Sequence, residues 1–407
     1  MRRIVIIGAG QAGLQLAESL RKGGHDGELY LIGDERWPPY QRPPLSKKYL
    51  AEDFADARLF FRPLEHYTRL NVDLRLATRA TAIERAAQRV ALANGESLGY
   101  DGLALTTGTR VRPLPVPGAA HPAVHYLRGL DDAQALKQRL AGARRVVVIG
   151  GGFIGLEVAA TARHADCEVH VVEALDRLMA RVMPPVVSDF FATLHRAHGT
   201  QLHLGAQVAA IEPAADGSVE VRLGDGSGLP ADLVVAGIGV LPNQELAVAA
   251  GLACDNGIVV DEYARTSDPL IVAAGDCTVH RNLRYELPHR LESVQNAVDQ
   301  AKVAAASLLG QAQPYADLPW FWSDQYEVKL QIAGLSAGHD SHVLRGEPSA
   351  AGFSVYYFRQ GRLIAVDSLN RPAEHMLARR LLSGGTHVLP AQAADPAFDL
   401  KALLVAT

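Results

Sequence analysis

Two glycine fingerprints, Gly8-Ala9-Gly10-Gln11-Ala12-Gly13 and Gly150-Gly151-Gly152-Phe153-Ile154-Gly155, lie 142 residues apart. They predict an α/β fold with two Rossmann-like domains. A third observation adds a smaller C-terminal α+β domain: beyond Pro319 the pattern changes to short apolar runs and one amphipathic stretch. Each fingerprint follows a short apolar run and opens an amphipathic one, the strand, turn and helix order that such a loop needs. The first glycine makes the tight turn, the second lets backbone approach a pyrophosphate, and the third lets helix pack on strand. The chain is therefore read as binding two dinucleotides.

Each fingerprint has a distal acid. The run Glu28 to Ile32 ends in Gly33-Asp34-Glu35, placing Asp34 21 residues after Gly13, and Glu173 closes Val169-His170-Val171-Val172, 18 residues beyond Gly155. A carboxylate at either place can accept hydrogen bonds from ribose hydroxyls. At the second site Glu173 would repel a 2′-phosphate, and Ala174 and Leu175 offer no guanidinium to receive one. NAD is favoured over NADP there, with Arg177 and Arg181 the residues that could argue otherwise.

The 407 residues suggest two to four domains, and a hydrophobic content of 48% suffices for packed cores. A net charge of -4 gives no basic footprint for nucleic acid. The basic and apolar start Met1 to Ile7 stops at Gly8 and is consumed by the first strand, so no signal peptide is expected. No apolar run approaches the roughly 20 residues that span a bilayer, and a cytoplasmic location is the simplest expectation.

Cys167, Cys254 and Cys277 are far apart, with no C-x-x-C spacing. That argues against a redox dithiol or a zinc site. His195 and His198 fall three apart at the end of a helix-like stretch, Pro184 to Ala197, and are read as a solvated helix end.

Along the chain, a βαβ unit from Arg3 to Ile32 leads through a Pro-rich loop and strands near 73–76 and 89–93 to a buried strand ending at Thr106-Thr107-Gly108. Three prolines between Val111 and Gly118 (Pro113, Pro115 and Pro117) mark a domain crossing. A second βαβ unit, Arg145 to Val172, is followed by strands at 219–223 and 232–237, and its tail Ala236 to Asn243 mirrors the exit of the first. The second half thus reads as inserted into the first. Return to the first domain comes at Asp268 to Asp276, and a helix is expected from about Ser293 to Leu309, closed by Gly310. The expected domains are 1–112 and 243–318 for the first dinucleotide, 113–242 for the second, and 319–407 for the α+β domain. In that last domain, strands are expected at 329–332, 353–358 and 363–367, with a helix at 372–383.

The chain resembles, over essentially its whole length, the FAD-dependent NADH:ferredoxin reductase family of bacterial oxygenase systems, with a glutathione reductase-like arrangement of its two nucleotide domains. The residues that carry the resemblance, beyond the fingerprints, are Tyr40-Gln41-Arg42-Pro43-Pro44-Leu45-Ser46-Lys47, Ala274-Gly275-Asp276, Glu292-Ser293-Val294 and Pro319-Trp320-Phe321-Trp322-Ser323-Asp324-Gln325-Tyr326. It implies FAD held by the first glycine loop (Gly8, Gly10, Ala12, Gly13) with Asp34, Lys47, Ala80, Arg128, Asp276, Val294 and Trp322. It implies NAD on Gly150, Gly152, Gly155 and Glu173. Chemistry supports parts of this: a carboxylate at Asp276, leaving a buried strand, can hold a ribityl hydroxyl. The helix beginning near Val294 directs its positive end at the flavin pyrimidine. The resemblance also pairs Lys47 with Glu157, which follows the second fingerprint, as a charged pair at the flavin. Burial decides its weight, since an exposed pair contributes little.

The resemblance implies hydride transfer from NADH to FAD and onward delivery of single electrons to a [2Fe-2S] ferredoxin that serves a cytochrome P450 or a Rieske-type dioxygenase. Trp320 and Trp322 would share a strand face near the flavin edge. Arg62, Lys302 and Lys329 are candidates for steering an acidic ferredoxin, each also readable as an ordinary solvated charge. Three other readings compete. An NADH oxidase or peroxidase would carry a redox cysteine near Pro43 to Ser46, where none stands, and a disulfide reductase would need a dithiol, which is missing. An apoptosis-factor-like flavoprotein would share the Lys47 and Glu157 pairing, but a nucleic-acid-binding role would need a basic surface on a chain that is slightly acidic.

Overall fold

The computed structural model describes residues 1–52, 54–286, 288–311, 313–349 and 352–404. The chain divides into two compact units, one of residues 1–41, 55–110 and 241–319, the other of residues 42–54, 111–240 and 320–407.

In the first unit five parallel strands lie in the order Ile271–Ala273, Gly102–Leu105, Arg3–Ile7, Glu28–Ile32, Asp73–Arg75. A parallel sheet is covered on both faces, so its strands read as continuous apolar runs. Side chains alternate across the pleat: Ile4 and Ile6 pack with Leu16, Leu20, Ala301 and Ala304 of helices Gln11–Lys22 and Val294–Leu308. Val5 and Ile7 pack the other way, with Ile83, Val90 and Leu92 of an antiparallel three-stranded sheet, Ala80–Glu84, Arg89–Leu92 and Ser97–Gly99. A second small sheet joins Ile258–Val260, Thr278–Arg281 and Pro288–His289.

The second unit repeats the plan. Its parallel sheet runs Gln201–Leu204, Glu168–Glu173, Arg145–Ile149, Leu233–Ala236, Val124–His125, with helices Leu130–Leu140, Phe153–His164 and Pro185–Ala197 and an antiparallel sheet of Val208–Pro213, Val219–Leu223 and Gly228–Ala231. The C-terminal part of this unit is an antiparallel sheet in the order Trp320–Gln325, Val328–Gly334, Arg362–Leu369, Phe353–Arg359, Ser341–Arg345, followed by helix Pro372–Ser383. Helix Leu130–Leu140 was not anticipated, although Leu130, Ala133, Leu136 and Leu140 are its buried face at helical spacing. Among the described residues no helix is long and apolar enough to cross a membrane.

Candidate dinucleotide cradles and a buried charged pair

The two glycine loops are built alike down to the reason for each glycine. Gly8 has φ +114°, and a Cβ there would lie 2.1 Å from the Thr106 carbonyl oxygen; Gly150 has φ +107°, with the Gly237 carbonyl oxygen at 2.5 Å. At Gly13 and Gly155 a Cβ would fall 1.9 and 2.1 Å from the carbonyl oxygens of Gly8 and Gly150. These four glycines are demanded by the chain's own backbone. Gly10 and Gly152 are different, because a Cβ at either meets nothing within 4 Å. Each caps the N-terminus of a helix, Gln11–Lys22 or Phe153–His164, where amides face outward and anions are favoured. A dinucleotide phosphate fits both cradles, since it supplies the reason for glycine that the protein itself does not.

Around the first cradle the unit gathers most of the residues assigned to FAD. The Cβ position of Gly275 lies 3.2 Å from Ala12 Cβ and 3.8 Å from Ala297 Cβ. Small residues thus bring the fingerprint helix, the strand end carrying Asp276 and the helix starting at Val294 into contact. Gln300 fixes that strand end by accepting from Gly275 N at 2.8 Å and from the Thr278 hydroxyl at 2.9 Å, and Ser293 caps the helix by accepting from Asn296 N. Asp34 pairs with Arg79 at 3.0 Å, just ahead of buried Ala80. Both side chains of that pair are exposed, so it contributes little stability.

At the second cradle Glu173 is already engaged: it accepts from Gly151 N at 2.7 Å and from Leu175 N at 2.9 Å. Its carboxylate therefore shapes the glycine loop itself. Arg177 is spent on its own loop, donating to the carbonyls of Met183 and Ala180 and to the Ser188 hydroxyl. Arg181 lies beside Gly239.

Lys47, Arg128, Glu157 and Trp322 all belong to the second unit. Pro43–Ser46 forms a 3-10 turn ahead of Lys47, and Arg42 ties this loop to Arg128 by donating to its carbonyl at 2.7 Å. Arg128 N and Gly129 N donate in turn to Asp132, which caps helix Leu130–Leu140. Lys47 Nζ lies 2.8 Å from Glu157 Oε2, and Glu157 is 2% exposed. The carboxylate is buried and Lys47 is half-buried at 18% exposed, so the discount that applies to fully exposed surface ion pairs does not hold in full here. Ser46 and Ser323 hydroxyls donate to the two Glu157 oxygens at 2.5 and 2.6 Å. Hydrogen bonds of this charge-assisted kind are worth about 1.5–3 kcal/mol each, which helps offset the desolvation of a buried carboxylate.

Strand Trp320–Gln325 has two working faces. Phe321 packs on Phe153 with ring centroids 4.8 Å apart, and Ser323 meets Glu157 one helical turn on. On the other face Trp320 and Trp322 stack at 5.6 Å, as their spacing implied, both half-buried. The Arg379 guanidinium sits 4.6 Å from the Trp320 ring, a cation contributed by helix Pro372–Ser383 that the sequence reading missed.

His195 is not a solvated helix end but is wholly buried, its Nε2 3.0 Å from Gln325 Oε1, because the strand that covers it comes 130 residues later. Burial lowers its pKa to about 4. His198, half-buried, stacks on Tyr326 at 3.7 Å. The three cysteines are free, Cys167 and Cys277 buried and Cys254 half-buried. Burial pushes each thiol up, away from the reactive thiolate. Of the steering candidates, Arg62 is paired with Glu18 at 2.9 Å and Lys302 with Asp299 at 2.8 Å, while Lys329 is exposed and stands opposite Asp324 in the sheet.

The pyridine nucleotide-disulphide oxidoreductase family matches residues 2–301, and the reductase C-terminal family matches residues 320–404. The chain belongs to the pyridine nucleotide-disulphide oxidoreductase family. It is 49% identical to rhodocoxin reductase of Rhodococcus erythropolis over 98% of this chain and 93% of that one. Identity is 45% to the ferredoxin–NAD(+) reductase component of the anthranilate 1,2-dioxygenase system of Burkholderia cepacia, over 98% of each chain. The crystal structure of the ferredoxin reductase for the CYP199A2 system of Rhodopseudomonas palustris superposes with a TM-score of 0.96 at 47% identity, covering 99% of both chains. This family member is an oxidoreductase with an FAD and NAD fold and a reductase-type C-terminal domain.

Proposed function

We propose that this chain is an NADH-dependent FAD reductase of a [2Fe-2S] ferredoxin, serving an oxygenase that is most simply a cytochrome P450. The observation that carries the reading is the pair of cradles in which only the second glycine is unexplained by the chain itself. The cofactors supply the chemistry, a hydride from NADH to flavin and then single electrons to the iron–sulfur acceptor. The protein's residues do the rest. Gly8, Gly10 and Gly13 with Asp34, Ala80, Asp276 and Val294 bind and orient FAD, and Gly150, Gly152, Gly155 and Glu173 bind NADH. Arg128 and Trp322 complete the flavin contacts, and Lys47 holds positive charge at the flavin with Glu157 as its buried partner.

The electron acceptor is supported by the relatives named ferredoxin reductases at 45–47% identity along the full chain. The P450 assignment rests on the structure named for the CYP199A2 system. A second reading, reductase of a dioxygenase system, is favoured by the anthranilate system component at almost the same identity. Free cysteines are compatible with a reducing cytoplasm. Purified protein should carry FAD, bleach on addition of NADH, and reduce cytochrome c many-fold faster when a [2Fe-2S] ferredoxin is added. Equal rates with and without ferredoxin would instead favour a flavoprotein that does not serve such a carrier.

A further inference from the structure

Glu157 stands at the end of a line of donors that all point the same way. An ionised carboxylate only accepts, so the hydroxyls of Ser46 and Ser323 must donate to it. With its proton so used, the Ser323 oxygen can only accept, and Gln325 Nε2 donates to it at 3.3 Å. The amide orientation is thereby set, and Gln325 Oε1 faces His195 Nε2 at 3.0 Å, which must carry a proton. His195 Nδ1, the unprotonated ring nitrogen of this tautomer, has no hydrogen-bonding partner among the described residues. Ser323, Gln325 and His195 are each 1% exposed or less. The groups facing this line are Lys47 at Glu157, and Tyr326 and His198 at His195, with His164 stacked on Tyr326 at 5.7 Å.

We propose that Ser323, Gln325 and His195 are positioning residues that hold the Glu157 carboxylate ionised and aimed at Lys47, so that the C-terminal sheet sets the charge of this pair. The inference rests on the reading of Lys47 and Glu157 as the charged pair at the flavin. Three elements meet at one carboxylate: the turn Pro43–Ser46, helix Phe153–His164 and strand Trp320–Gln325. Two of the donors in the line, Ser323 and Gln325, come from the last of these. Neutral His195 suits the arrangement, since the fixed proton on Nε2 keeps every dipole directed at Glu157 without adding a second buried cation.

The test uses the FAD-loaded protein and compares Ser323→Ala, Ser323→Thr and Gln325→Leu with the parent. Loss of a donor removes support for the charged form of a carboxylate. In Ser323→Ala the limiting rate of flavin reduction by NADH should fall about tenfold, the size expected for a lost bond to a charged group, with NADH affinity unchanged. The rate should decline with falling pH at a higher pH than in the parent, and infrared difference spectra should show a protonated carboxyl where the parent shows a carboxylate. Ser323→Thr should restore both signatures. Gln325→Leu, which leaves every contact to Glu157 in place, should shift them in the same direction by less. A parental pH profile and infrared signature in Ser323→Ala would overturn the proposal, and should that variant not fold, parental behaviour of Gln325→Leu would do so. A parent that NADH does not reduce overturns the functional reading instead, while the infrared titration still reports on Glu157.

Discussion

At Gly10 an added Cβ meets nothing within 4 Å, whereas at Gly13 it would lie 1.9 Å from a carbonyl oxygen. Two alanine substitutions three positions apart should therefore fail for different reasons. Gly13→Ala should unfold or strongly destabilise the first unit. Gly10→Ala should keep the thermal midpoint within about 5 °C, since a poor cap costs about 1 kcal/mol, yet weaken FAD retention tenfold or more, read by flavin release on dilution. Equal loss of stability in both would mean that Gly10 is required by the fold and not by a phosphate. Glu173 offers a second test at this scale. Because its carboxylate braces Gly151 N and Leu175 N, Glu173→Ala should raise KM for NADH and narrow the NADH-to-NADPH ratio of kcat/KM by about ten- to a hundredfold, about 1.4–3 kcal/mol. Adding Ala174→Arg at that exposed neighbour should narrow it further. An unchanged ratio would move discrimination away from Glu173, and Arg181 becomes the first alternative because Arg177 is committed to its own loop.

Whole elements show why some chemistry was legible and some was not. Glycine loops are local: the turn, the helix cap and the close strand packing demand residue types within a few positions, so Gly8 to Gly13 and Gly150 to Gly155 announce themselves. The alternation of Trp320 and Trp322 likewise placed both on one strand face. His195 could not be read this way, because its surroundings are supplied by Gln325 and Tyr326 from a distant strand. Asp367 is a second buried polar group that its own strand did not reveal, although its partner lies close by on the adjacent strand Phe353–Arg359. On an apolar strand Arg362–Leu369 it is 1% exposed, its Oδ2 accepting from the Tyr357 hydroxyl at 2.7 Å, and burial pushes its pKa up to about 7 from an ordinary 3.8, the tyrosine bond opposing. The native state then holds a proton that the unfolded chain has released between those values. This contribution to stability is fully present below about pH 4 and is lost as pH rises through about 7. Asp367→Asn, which keeps an acceptor for Tyr357, should remove that slope and raise the thermal midpoint near pH 8 by about 4 °C or more, with little gain near pH 4. Parallel midpoint-versus-pH curves for parent and variant would show that Asp367 does not titrate in this range.

At the scale of the molecule, charge separates docking from catalysis. The net charge of -4 provides no global attraction for an acidic ferredoxin, so any steering must be local. Two of the three candidate cations are offset by their own neighbours, Arg62 by Glu18 and Lys302 by Asp299, and reversal at either should change the ferredoxin-dependent rate less than twofold. Lys329 is exposed on the strand next to Trp320–Gln325, with Asp324 opposite. Lys329→Glu should lower the ferredoxin-dependent rate several-fold at low salt and flatten its salt dependence, because steering acts on association and is screened within about 8 Å at physiological ionic strength. Reduction of ferricyanide, a small acceptor that needs no protein dock, should stay within a factor of two of the parent. Parallel loss of both activities would place Lys329 in support of the flavin site. If neither changed, the docking cation would lie elsewhere, with Arg379 over the Trp320 ring the next residue to reverse.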